Sequence, residues 1–470
     1  MQISFLVTAY LLLLLSRLTP VYLPWRTLFQ LTDQYGNIFS VQFGSLTFVV
    51  VDGYQMVREA LVHQAKIFAD RPNIPLLQEI FRGFGLISSN GHIWRQQRKF
   101  ASATLKSIAV SFEEKVQEES QYLVEKIEEE KGQPFDPHYK INSAVSNIIC
   151  SITFGNRFDY HDNRFQELLC SLAEINALLL CLISYQLYNA FPLVMRWVPG
   201  PFRKIFRHWE KLQYFVKGVI AKHKEDLDQS KARDYIDCYL KEIEKFKGHT
   251  NSYFHEGTLL CSTLDLFLTG TETTPTVYWE PSEHTYLICF LLSLEKVQLE
   301  INRVIGQSRQ PMMADKENMP YTSTVLSEAL RMGNVVPLGV PRMSTSNTTL
   351  AGFHLPKVHG DHQPFPHPTR AGLTSIMFDK NAWETPDTFN PEHFLENGQY
   401  RRQEAFLPFS AGKQACPGEQ LARTELFIFF TVLLQKFTFR APVAAALTFT
   451  FTLSLTRCPK PFQICVLPRD

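Results

Sequence analysis

The chain has 470 residues, 45% hydrophobic and 20% charged, with a formal net charge of +1. That composition is globular with room for a large core, and the near-neutral charge excludes a general electrostatic drive toward nucleic acid. Nine cysteines include no C-x-x-C pair, which points to a reducing environment and not a disulfide scaffold.

Residues 3–15 are apolar apart from Ser4, Thr8 and Tyr10, and Arg17 closes the run. A helix of that length spans about 20 Å, short of a hydrocarbon core of about 30 Å. A basic n-region and a small-residue cleavage site, the marks of a signal peptide, are both missing. Residues 1–25 are therefore expected to be a short membrane anchor, and 26–470 a single domain.

Phe39, Val41 and Phe43 alternate with Ser40 and Gln42, Gly44-Ser45 turns, and Leu46 to Val51 is a second β-rich run, which together predict a hairpin. From Tyr54 the chain reads as mostly helical. Phe112, Val116, Leu123 and Ile127 share one helix face, opposite a Glu/Lys-rich face that reads as solvated and not as a docking patch. Gly132-Gln-Pro-Phe-Asp-Pro ends that helix. Further helices are expected over about 139–153, 164–185 and 202–228. With no repeat, linker or composition break, the expected class is one large, mainly α domain with a minor β region.

Gly91-x-x-Trp94-x-x-x-Arg98 places an indole and a guanidinium on one helix face, where two donors can hold a buried carboxylate. Leu259 to Thr274 is an apolar helix carrying Gly270, Glu272, Thr273 and Thr274. The glycine permits close approach of a flat ligand. A hydroxyl bonded to an i−4 carbonyl leaves a polar notch, and a neighbouring acid can deliver protons there. Glu328-Ala-Leu-Arg331 pairs opposite charges at i and i+3. It precedes Val335-Val-Pro337-x-x-x-Pro341-Arg342 and then Phe389-Asn-Pro391-Glu-His393-Phe394.

Phe409-Ser-Ala-Gly412-Lys-Gln414-Ala-Cys416-Pro-Gly418 then leads into an apolar helix. Gly412 permits a turn where a side chain would crowd its neighbour, and Pro417 suits a first helical position. Cys416 falls at the positive end of the helix dipole, which favours its thiolate. Such a thiolate can be a nucleophile, a zinc ligand or an axial ligand to haem iron, though zinc lacks a second Cys or His close by.

Phe-x-x-Gly-x-x-x-Cys-x-Gly resembles the haem-ligand loop of the cytochrome P-450 haem-thiolate monooxygenases. The other motifs follow that family's order over roughly 26–470, with the mammalian microsomal family-two J-subfamily the most similar group. The resemblance implies haem b held between a long central helix and the cysteine loop, with Cys416 as axial ligand within a loop that includes Phe409 and Gly412. It implies Trp94, Arg98, Arg342 and Arg71 as propionate ligands, Thr273 and Glu272 in oxygen activation, and Glu328/Arg331 as a structural ion pair. It further implies electrons from an NADPH-cytochrome reductase and from cytochrome b5, and an endoplasmic reticulum membrane with the catalytic domain on the cytoplasmic side. The substrate classes implied are polyunsaturated fatty acids such as arachidonic acid (epoxidation and hydroxylation) and lipophilic xenobiotics.

Some positions depart from the pattern. Gln414 stands where the family has a propionate-binding arginine or histidine, Thr269 where it has alanine or glycine, and His393 where many members have arginine. Pro275 removes a helix hydrogen bond at a cost of about 3 kcal/mol in a regular helix. Residues 280–293 do not match the expected helix continuation, and 358–378 do not match a strand and loop. Both read as mis-joined segments, the second removing a strand of the small sheet. His359, His362 and His367 lie there with nothing to order them as a metal site. The alternative reading is a haem-deficient relative without activity.

Overall fold

The computed structural model describes residues 31–43, 46–179, 188–189, 191–249, 252–277, 283–355, 357, 368–442, 451–453, 456–459 and 462–469. The expected anchor, the hairpin turn at 44–45 and His359, His362 and His367 fall outside them. No helix among the described residues is long and apolar enough to cross a membrane.

The hairpin forms as read. β1 (Ile38–Phe43) pairs antiparallel with β2 (Leu46–Val51), from Phe43 opposite Leu46 to Ile38 opposite Val51. β3 (Thr348–Leu350) and β4 (Phe353–Leu355) make a second hairpin. β5 (Thr369–Ala371) then adds to β2 in parallel, Val49 opposite Thr369. This corrects the expectation that the unmatched 358–378 stretch removes a strand. Ladder pairing uses backbone groups, which Thr369-Arg-Ala supplies whatever precedes it. The Val49 N–H donates to Pro368 O at 3.0 Å, and Arg342 and Thr369 exchange backbone bonds at 2.8 and 2.7 Å.

The long helices are α1 (Gly91–Glu128), α2 (His138–Thr153), α3 (Asn163–Leu179), α4 (Pro201–Glu225), α5 (Tyr235–Lys245), α6 (Glu256–Val277), α7 (Glu283–Val304), α8 (Pro320–Gly333) and α9 (Glu419–Lys436). On α1, Phe112, Val116, Leu123 and Ile127 are buried and the Glu/Lys face is turned to solvent, as the periodicity predicts. The chain leaves that helix through Lys131 and Gly132, both at positive φ.

α7 is a second correction, because the stretch that failed to match is helical from Glu283 onward. After Pro281 the sequence holds no glycine or proline, so nothing there breaks a helix.

α6 is the central element and touches α2, α4, α5, α8 and α9. Every residue from Thr258 to Leu268 is buried, which suits a helix apolar nearly all round. Each leucine so covered contributes about 1.5–3 kcal/mol. Pro275 lies inside this helix, which runs on to Val277. Gly270 does not serve a flat ligand as read: a Cβ there would meet Ile149 Cδ1 of α2 at 2.5 Å. The glycine lets two helices approach closely. That contact offsets the roughly 1 kcal/mol a helical glycine costs.

Candidate active site

The cysteine loop is shaped by backbone contacts. Cys416 N–H donates to Phe409 O at 2.9 Å, closing the loop on itself. Gly412 has φ +75°, and a Cβ there would collide with the carbonyl oxygen of Leu61. That carbonyl belongs to a π-helical turn, Glu59–His63, against which the 3-10 turn Gly412–Gln414 packs. Arg423 lies 5.0 Å from the centre of the Phe409 ring, so this phenylalanine is covered by a cation. α9 begins only at Glu419, with Gly418 as its cap, so Pro417 precedes the helix and does not open it as read.

Cys416 is exposed as a residue, while burial of its thiol raises the pKa. The Gly418 N–H and the Arg98 charge act in the opposite direction, but burial outweighs them. The helix-dipole argument for a free thiolate is corrected accordingly. Burial works against a thiolate here, and a bound cation would work in its favour.

Arginines converge on this loop. Arg342 Nη2 donates to Ser410 Oγ at 3.0 Å and Ala411 O at 3.3 Å. Arg98, one turn beyond Trp94 on α1, donates from Nη2 to Ala415 O. Arg71 Nη1 donates to Pro341 O at 3.0 Å and Val340 O at 3.3 Å, and its Nη2 to Gln414 Oε1 at 3.2 Å. Burial, then the charges of Arg342 and Arg98, push Arg71 down to about 9. Burial, then Arg98, push Arg342 down to about 10. No acid figures among the groups shifting either one. Trp94 Nε1–H and Arg71 Nε–H are buried with no partner.

Clustered guanidiniums without a counter-charge, beside two unpaired N–H donors, fit a ligand bearing two carboxylates, as haem does. Gln414, expected at the cofactor, spends its amide otherwise: Nε2 donates to Ala69 O at 2.7 Å while Oε1 accepts from Arg71.

The middle of α6 breaks its otherwise buried run. After the buried stretch, Thr269 is exposed and Gly270, Glu272 and Thr273 are half-buried, before burial resumes at Thr274. Thr273 Oγ1 donates to Thr269 O at 2.8 Å, the expected i−4 bond, and Thr269 Oγ1 to Asp265 O at 2.7 Å. Glu272 turns toward Asn176 of α3, and burial raises its pKa against that hydrogen bond. Adjacent helical positions do not share a face, so the acid and the Thr273 hydroxyl diverge.

The expected ion pair is formed. Glu328 and Arg331 of α8 are fully buried and bidentate, at 2.8 and 2.7 Å. Arg331 also donates to Met377 O at 2.7 Å, Pro386 O at 2.8 Å and Thr388 O at 3.1 Å. His393 Nε2 accepts the Thr385 N–H at 3.3 Å, which leaves Nδ1 as donor to both Glu328 oxygens at 3.3 Å. Histidine thus supplies a donor to Glu328 at the position where the pattern has arginine.

Two buried acids escaped the sequence reading. Asp265 of α6 is pushed up to about 7 by burial, and accepts the backbone N–H groups of Leu86 and of Ile87 (3.0 Å). Glu425 of α9 is pushed up to about 8 by burial, against a bond to Thr274 of α6. The signal was available: Asp265 interrupts an apolar helical run and Glu425 opens one. A further group, His223, Asp234 and Asp237, brings possible metal ligands together. Its atoms are engaged, His223 on Asp234 at 2.8 Å and Arg233 on Asp237 at 2.6 Å, where they cap α5.

A family model described as Cytochrome P450 matches residues 9–466. Cytochrome P450 2J2 of Homo sapiens is 50% identical over 440 residues, which is 93% of this chain and 85% of that protein. Cytochrome P450 2J1 of Oryctolagus cuniculus is 48% identical over 446 residues, 94% of this chain and 86% of that one. Cytochrome P450 2J3 of Rattus norvegicus is 47% identical over 456 residues, 95% and 87% respectively.

Proposed function

The chain belongs to the cytochrome P450 family and is a haem-thiolate monooxygenase, and from that premise we propose which residues do the work and on what. Cys416 would hold the haem iron through its sulfur. Arg71, Arg98, Arg342 and Trp94 hold the propionates, replacing mutual repulsion among the guanidiniums with charge-assisted hydrogen bonds. Haem supplies the chemistry that cleaves dioxygen and inserts one atom into a substrate carbon.

Thr273 takes and passes a proton at its Oγ1 while held by the Thr269 carbonyl. Glu272, whose pKa burial raises, is the acid that supplies protons, from the α3 side. The buried apolar length of α6 keeps bulk water from the notch. Substrates are lipophilic: polyunsaturated fatty acids such as arachidonic acid, by epoxidation and hydroxylation, and xenobiotics. Electrons come from a membrane-bound NADPH-cytochrome reductase, with cytochrome b5 as a second donor. The chain sits on the endoplasmic reticulum membrane, held by residues 1–25, with the catalytic domain 26–470 on the cytoplasmic side.

One observation carries this reading: three arginines, Arg71, Arg98 and Arg342, converge on the loop that carries Cys416, and the buried N–H donors of Arg71 Nε and Trp94 Nε1 have no partner. Its test is the absorption spectrum of the ferrous protein under carbon monoxide. A strongly red-shifted Soret band, lost in Cys416→Ala, is the expected result, followed by NADPH-dependent oxidation of arachidonic acid with reductase added. A haem-free protein, or a red-shifted band that survives Cys416→Ala, overturns it. The haem-deficient alternative predicts the first of those outcomes. It has lost two of its supports, since α7 and β5 are both formed.

A further inference from the structure

We infer that Gln414 is a positioning residue that aims Arg71 at a carboxylate of the cofactor, and does not itself contact the cofactor. The inference rests on the haem-thiolate reading above. Gln414 is 7% exposed and sits between the cysteine loop and the segment that carries Arg71. Its amide orientation is fixed by both neighbours. Turned the other way, the NH2 group would face a guanidinium and the carbonyl would face Ala69 O.

Arg71 is held from several sides. Asn90 brackets its backbone, accepting the N–H at 2.6 Å and donating to the carbonyl at 2.9 Å. Pro341 and Val340 take Nη1, and Gln414 takes one of the two N–H bonds on Nη2. The Nε–H, buried and without a partner, and the second Nη2–H are left over. Those two donors belong to adjacent nitrogens of the planar guanidinium and suit side-on capture of a carboxylate.

A cation at position 414 would add another positive charge to a cluster whose members already depress one another. Glutamine supplies the acceptor and none of the repulsion. Its loss of charge is thus matched by a gain in the orientation of a charge already present.

The test uses the haem-loaded enzyme. Haem transfer to excess apomyoglobin is timed for the wild type, Gln414→Ala, Arg71→Ala and the double variant. Resonance Raman spectra of the propionate bending modes are recorded beside them. Gln414→Ala and Arg71→Ala should each lose haem on the order of 10-fold faster, the effect of one charge-assisted hydrogen bond. The double variant should be no faster than the worse single, and both singles should shift the same Raman mode.

Additive losses near 100-fold, or an unmoved propionate mode in Gln414→Ala, overturn the inference and make Gln414 an independent or purely structural residue. Should Gln414→Ala not fold, Gln414→Leu decides. It keeps the bulk and removes the acceptor on Arg71, so haem loss at the wild-type rate would refute the role. Failure of the haem-thiolate reading looks different, because the wild type itself would then show no red-shifted band.

Discussion

Glu425→Gln should make the protein more stable and remove part of its pH dependence. Glu425 is 1% exposed, on α9, and burial holds its carboxyl at about 8 against an ordinary value of 4.5. In the unfolded chain the group ionises near its ordinary value, while the folded protein keeps the proton until about 8. Across that window the unfolded state binds fewer protons, so stability falls as pH rises, and levels off above the folded value. At pH 7 the penalty is about 3 kcal/mol, an order-of-magnitude figure for a fully buried group. Glutamine is neutral throughout and keeps a hydrogen-bonding group near Thr274. Chemical denaturation of the haem-loaded wild type and variant, followed by circular dichroism at pH 6 and pH 8, measures the difference. The gap between them should widen by about 2 kcal/mol from the lower to the higher pH. Parallel pH curves would show that Glu425 ionises freely in the fold, and would refute the reasoning.

Glu328→Gln leaves Arg331 buried with only carbonyls and a neutral amide around it, a loss of about 3–5 kcal/mol. It should sharply lower the yield of haem-loaded protein, read from the carbon monoxide spectrum. Gly270→Ala should destabilise despite the higher helix propensity of alanine, because its methyl group meets Ile149. Adding Ile149→Ala should recover part of the loss in a thermal melt; no recovery would place the strain elsewhere.

Much of the site was legible because its residues declare themselves locally. Trp94 and Arg98 share a helix face by spacing alone, and Glu328 and Arg331 do the same. What failed depended on partners distant in sequence. Gly270 looked like a ligand contact because nothing near it announces Ile149. The thiol of Cys416 was expected to ionise from its place before a helix, since the dipole is visible in sequence whereas the burial that outweighs it is a property of the whole fold. β5 and α7 were discounted because unfamiliar side chains were taken for missing elements. Backbone pairing and helix propensity ask less of a sequence than a motif does.

The contact between Gly412 and the Leu61 carbonyl has a consequence for how this protein can change over generations. The height of the cysteine loop is gauged by main chain resting on main chain, with no side chain interposed. Residues around it can therefore change while the sulfur keeps its station. Gly412 itself is closed to drift, since any side chain there would act as a shim and lift the loop off its seat.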